Sequence, residues 1–230
     1  MSNPSTPALV QTHPDQFTLH MREAIALNRA RAPLYAERTH GASRWLSRML
    51  VASEIACLPL ARYFDHAARP FNAAGVGVVA DDFVSMSLAG DPTRPPRYTG
   101  RAERRQVKAL RRDVATYTRD ARRLLRQGDF RGVARLTATA IEGVEAHEAR
   151  CGAHFAMTIH LMESVGRAAA NAPRHMDASG GASEGLSRRL VGVQLWCVSS
   201  GVPLDRRAQR SHALGVGILV NDVPPIPFSA

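Results

Sequence analysis

The chain has 230 residues, 45% of them hydrophobic and 6% aromatic, with 30 Lys and Arg against 20 Asp and Glu for a formal charge of +10. That length is ample for a single hydrophobic core and excludes disorder over most of the chain. Arg, Glu or Asp cuts every apolar stretch short of the ~18 to 20 residues that a membrane-spanning helix needs, and the polar segment Met1 to Gln16 lacks the basic start and apolar run of a secretory signal, so a cytoplasmic protein is expected.

The opening segment, residues 1–16, reads as a flexible leader to a first helix over 15–31, with Asp15 as its N-cap and Ala32-Pro33 as its stop, because proline disfavours helix in the residue before it. A second helix is expected over 43–62, starting at Ser43, whose hydroxyl can accept from free N–H groups. The segment Gly75-Val76-Gly77-Val78-Val79 is read as a third helix whose glycines permit close backbone approach, although its pattern does not separate helix from strand. A Pro/Gly loop over 87–100 follows.

Val107, Leu110, Val114, Tyr117, Ala121 and Leu124 then recur at alternating spacings of three and four, a narrow heptad seam. Gly128 and Asp129 read as a helix stop and the next N-cap, making an αα-hairpin with a helix starting near Phe130. That helix is expected to continue past residue 157 for up to about 40 residues unless Gly152 kinks it. The chain then resumes its opening pattern. A helix is expected to end at Ala172-Pro173, Asp177 to Ser183 forms a linker, another helix spans 183–199, and Gly215-Val216-Gly217-Ile218-Leu219 precedes a proline-rich tail over 224–230.

Residues 17–82 align without a gap on residues 157–222, with 22 identities in 66 positions. Unrelated stretches of this composition give roughly five, so the chain reads as an internal duplication at an offset of 140. The identities include Thr18 and Thr158, His20 and His160, Glu23 and Glu163, Cys57 and Cys197, Asp65 and Asp205, and Asp82 and Asp222. Two such units usually pack about a pseudo-twofold axis, where residues meet their own counterparts. The expected fold is all-α: a helical bundle made of two repeats, 17–86 and 157–223, around a central loop and basic αα-hairpin over 87–156, all in one compact domain. No G-x-G-x-x-G motif in a strand-turn-helix setting, phosphate-binding lysine loop or nucleophile elbow occurs.

Three constellations could carry chemistry. In each repeat His and Glu stand three apart on one helix face (His20 with Glu23, His160 with Glu163), the i,i+3 spacing used in dinuclear carboxylate bundles, with the order reversed. Asp82 and Asp222, or Asp65 and Asp205, could supply further carboxylates to iron or another divalent metal. This reading makes the chain a metal-binding bundle, as an enzyme an oxygen-dependent oxidase or oxygenase of a small molecule. The alternative is that these pairs are surface ion pairs, or hydrogen-bonded groups where the repeats meet.

The second group is His147, Cys151 and His154. Residues seven apart on a helix are separated by about 10 Å along its axis, so one helix cannot bring all three to one ion. One adjacent pair could bind zinc or copper with outside help, but polar residues inside a helix seam are the favoured reading. Glu142, Glu145 and Glu148 form a similar carboxylate series, read as solvated.

The third is the arginine-rich arm. Residues 101–131 carry 11 basic and four acidic residues, and Arg104, Arg105, Lys108, Arg111 and Arg112 could meet phosphates, nucleic acid or an anionic lipid surface, or equally form a solvated face or dock an acidic protein partner. Only Tyr117 interrupts the helix with an aromatic ring, and no nucleic-acid-binding motif accompanies it. Of the 30 basic residues 29 are Arg, which fits a GC-rich bacterial genome and weakens a nucleic-acid inference from charge alone. Cys57, Cys151 and Cys197 include no C-x-x-C and cannot all pair, so reduced thiols are expected, those at 57 and 197 buried and inert.

Overall fold

The computed structural model describes residues 15–82 and 100–212. All of its regular structure is helical: α1 (Gln16–Arg38), α2 (Arg44–Ala73), a short 3-10 turn (Ala80–Asp82), α3 (Arg101–Arg126), α4 (Phe130–Cys151), α5 (Ala156–Ala178) and α6 (Glu184–His212). No described helix is long and apolar enough to cross a membrane. The starts of α1 and α5 lie 140 residues apart, as do their ends and the starts of α2 and α6.

Proline did not stop the first helices. α1 runs through Pro33 to Arg38 and α5 through Pro173 to Ala178. A proline inside a helix forfeits one hydrogen bond, but its φ is helical. Here the turn beyond it buries Tyr35 in α1 and His175 in α5, which offsets that loss. The true stop comes later, where Gly41 (φ +87°) and Gly181 (φ +88°) adopt the left-handed conformation that favours glycine. Likewise α2 passes Pro59 and Pro70, and α6 passes Pro203, so both extend well beyond the expected ends at 62 and 199.

The Ser43 side chain does not cap α2. Ser43 instead accepts from the Thr39 hydroxyl at 2.9 Å, and Ser183 pairs with Ser179 at the same distance, knotting each interhelix turn on itself. Gly75 to Val79 is not a helix. Gly75 turns with φ +77°, and Val76, Val78 and Val79 are carried in an irregular stretch into the core against α5. Its counterpart at 215–219 lies outside the described residues.

The middle of the chain follows its pattern more closely. Val107, Leu110, Val114, Tyr117 and Ala121 are buried along α3, with Leu125 taking the last place on the seam and Leu124 half-buried beside it. Gly128 (φ +77°) turns the chain, and Asp129 accepts from the backbone N–H of Gly132 at 2.7 Å. Gly152, left-handed at φ 65°, divides the expected long helix into α4 and α5.

The hairpin α3 and α4 packs onto the second pair, with α3 against α6 and α4 against α5. The main core therefore runs through α3 to α6, joined by Phe64 and Ala68 of α2. A smaller cluster of Tyr35, Leu46, Leu50 and Ala208 ties α1 and the start of α2 to the end of α6.

Candidate functional site

α2 crosses α6 at the centre of the molecule. Trp45 lies 4.2 Å from the Arg207 guanidinium, Cys57 is within electrostatic reach of Cys197, and Tyr63 is hydrogen-bonded to Arg189. Positions rise along α2 as they fall along α6, so the two helices run antiparallel and cross where Cys57 meets its counterpart. His20 likewise lies within electrostatic reach of His160. These are the relations a pseudo-twofold axis produces.

The His pair is held neutral. Burial lowers the His20 pKa against the opposing pull of Glu23, and burial with the nearby His20 ring lowers His160 to about 4. His160 Nδ1 is buried without a hydrogen-bond partner. The two glutamates differ in exposure. Glu23 is exposed, and Glu163 is half-buried near Arg167 and Glu145, with its pKa raised by burial.

Asp82 accepts from Asn171 Nδ2 at 2.9 Å and from Val79 N at 3.3 Å. Since Asn171 is 11 residues beyond His160, about 16 Å along α5, Asp82 does not join the histidines. Asp222 lies outside the described residues. Among the described residues no three His, Cys, Asp or Glu side chains are grouped so as to hold a metal ion.

Asp65 and Asp205 have a structural task instead. Asp65 Oδ1 and Oδ2 accept from the backbone N–H groups of Phe17 and Thr18 at 3.0 and 2.8 Å, while Asp205 accepts from Met157 and Thr158, both at 2.9 Å. Each carboxylate caps the first turn of the neighbouring helix, where free N–H groups and the helix dipole favour an acceptor. Asp15, the expected cap, instead pairs with Arg69 at 2.9 Å. Thr18 and Thr158 at matched offsets from Asp65 and Asp205 were the available signal, hidden because a cap usually comes from the residue preceding its own helix.

His147, Cys151 and His154 are not grouped so as to hold a metal ion. His147 is buried edge-on against Phe155, with ring centroids 5.6 Å apart, and burial lowers its pKa. Cys151 is buried at the end of α4, and His154 lies beyond the Gly152 break. The break changes the geometry that a continuous helix implied. Glu142 and Glu145 are exposed, and Glu148 accepts from the Phe155 N–H. Cys57 and Cys197 are half-buried, and burial pushes both thiols up, Cys197 to about 11, as expected of unreactive thiols.

Arg104, Arg105, Lys108, Arg111 and Arg112 are all exposed on α3, facing away from its seam. Two of the three acids on the same helix engage other partners, Glu103 meeting Arg206 at 3.4 Å and Asp120 lying 3.7 Å from both Arg119 and Arg123, while Asp113 is exposed beside Arg112. Arg111 also borders a cleft of about 400 Å³ with Trp45, Pro203, Arg206 and Arg207. Comparison with protein-family models, curated proteins and solved structures gave no match to this chain.

Proposed function

We propose that the protein is a non-enzymatic interaction module, built by duplication of a two-helix unit, that binds an acidic protein partner through the cationic face of α3. The observation that carries this reading is the exposure of all five cations, Arg104, Arg105, Lys108, Arg111 and Arg112, on the face opposite a buried apolar seam. The seam fixes the helix, so the charges are displayed on a rigid rod. Clustered like charges attract an oppositely charged surface and speed its encounter.

The test is binding of polyglutamate and, separately, of duplex DNA to the wild type and to the Arg104→Glu/Arg105→Glu/Arg112→Glu variant. Polyglutamate binding that weakens at least tenfold in a variant that remains folded is the expected result. DNA binding without polyglutamate binding would replace the protein partner with nucleic acid, and no binding of either would sink the proposal.

A metal-binding reading, with iron or another divalent ion serving oxidative chemistry on a small-molecule substrate, retains one observation. His20 and His160 approach each other, and both rings are held in the neutral form that binds metals. Mass-spectrometric metal analysis of the wild type and the His20→Ala/His160→Ala variant tests it: stoichiometric metal lost in a folded variant supports it, and metal in neither protein ends it.

A further inference from the structure

The two repeats differ in what covers them. On the second, Gly192 packs against Leu125 of α3, Gly166 against Thr137 of α4, and Arg188 lies beside Gly128 at the hairpin turn. The equivalent positions 140 residues earlier are Ala52, Ala26 and Arg48, and all three are exposed. Where the hairpin sits on α5 and α6, the first repeat has an open groove of about 460 Å³ between α1 and α2.

The floor of that groove is apolar, made by Ala32, Pro33, Val51, Ala52 and Ile55. Ile55 is 48% exposed, whereas its counterpart Leu195 is fully buried under the hairpin. Among the described residues the face on α5 and α6 is thus covered and its counterpart on α1 and α2 is not, and the covering element is an amphipathic helical hairpin.

Charge selects the occupant. The open groove is bordered by Arg29, Arg44 and Arg48, where the covered one has Ala169, Glu184 and Arg188. The covered face thus bears one fewer arginine at the first position and, at the second, a carboxylate paired with Arg188, while α3 meets it through an apolar seam with its cations turned outward. A cationic helix, including α3 from a second copy, would meet three guanidinium groups in the open groove. The geometry points to an amphipathic helix of a partner protein, apolar on one side and acidic on its flanks, docking between α1 and α2. This surface is separate from the cationic face of α3, and either can fail without the other.

The probe is a peptide with the α3 sequence, residues 101–126, whose arginines and lysine are replaced by glutamate so that the apolar seam is retained. The unaltered cationic peptide is the control. By fluorescence anisotropy the acidic peptide is expected to bind, with at least tenfold weakening by Ile55→Glu. Arg44→Glu/Arg48→Glu is expected to weaken the acidic peptide and favour the cationic one, while leaving polyglutamate binding by α3 intact. Binding indifferent to Ile55→Glu, or no binding of the acidic peptide at millimolar concentration, overturns the inference. So does a wild-type dimer in sedimentation that Ile55→Glu converts to monomer, because the groove would then belong to a second copy.

Discussion

Asp205 closes on Thr158 twice, accepting from its backbone N–H at 2.9 Å and from its hydroxyl at 2.6 Å. With the bond from Met157, this carboxylate ties the start of α5 to the last third of α6, 48 residues away in sequence. Asp205→Asn leaves one of these donors facing an NH₂ group, and an unpaired buried donor costs about 1 to 3 kcal/mol. Urea denaturation at pH 4 is expected to show a loss in that range that shrinks as the pH rises towards 7, because burial pushes the Asp205 carboxyl up to about 7 and the amide is spared the cost of a buried charge, while Asp15→Asn, which alters only the exposed pair with Arg69, is expected to cost less than about 1 kcal/mol. Equal losses for the two variants would remove Asp205 from the capping role.

Asp82 provides a pH signature. Burial pushes its carboxyl up to about 6, against the bonds from Asn171 and Val79 that favour the charged form. An unfolded aspartate titrates near pH ~3.9. Between those values the folded chain keeps a proton that the unfolded chain has released, so this group's stabilisation is present at about pH 4 and is lost as the pH rises to about 6. Asp82→Asn has no such proton to lose. Relative to wild type, the variant is expected to gain stability across that window, by on the order of 3 kcal/mol at most. Denaturation of both proteins at pH 4, 5, 6 and 7 checks this, and a difference that does not change with pH contradicts it.

At Gly201, α6 comes close to the backbone of α5. A Cβ there would stand 2.8 Å from Thr158 Cα, a backbone atom that cannot swing aside. Gly201→Ala is therefore expected to destabilise by about 1 to 3 kcal/mol through overpacking, despite the roughly 1 kcal/mol that alanine ordinarily gains over glycine within a helix. Its counterpart, Ala61, is fully buried in the first repeat, which already accommodates that methyl group. Thermal denaturation of the variant decides the sign, and a raised midpoint would mean that the helices separate without cost.

Cys197 should behave as a slow thiol. With its pKa pushed up to about 11 by burial and by Cys57, its thiolate fraction at pH 8 is roughly a hundredfold below that of a free cysteine. Alkylation at pH 8 followed by peptide mass spectrometry should find Cys197 largely unmodified in the native protein and fully modified after denaturation. At higher pH, a short bifunctional maleimide should join it to Cys57 within one chain. Fast native alkylation, or crosslinks only between chains, would contradict the crossing of α2 and α6 at these residues.

The helical nature of the chain was legible because the seam from Val107 to Ala121 and the stop at Gly128 and Asp129 are local signals. The helix continuations past Pro33 and Pro173 were not, since whether a helix continues past proline depends on what the next turn buries, and Tyr35 and His175 find their partners only in the folded molecule. Gly152 was recognised as the place where a long helix could break, and its left-handed φ divided His147 from His154. The 140-residue offset brought out His20 with His160 and Cys57 with Cys197 as matched positions, and the members of each pair lie within electrostatic reach of one another. It could not reveal that Glu23 faces solvent or that Asp82 lies beside Asn171, because identity between repeats records the helix position of a residue and not the neighbour across from it. The open groove escaped the sequence altogether, since Ala52 and Ile55 look like core residues until the hairpin is found to cover only one repeat.

Because the main core is concentrated in α3 to α6, α1 and the first half of α2 are held chiefly by one another, by the small cluster around Leu46 and Leu50, and by the cap at Asp65. Such a segment can detach and return while the remainder stays intact, the kind of partial opening that amide exchange reports. A helix seated between α1 and α2 would act on that opening first. Its binding would register as slower exchange in α1 well before it changed the global unfolding transition, so melting temperature alone would be a poor detector of the partner.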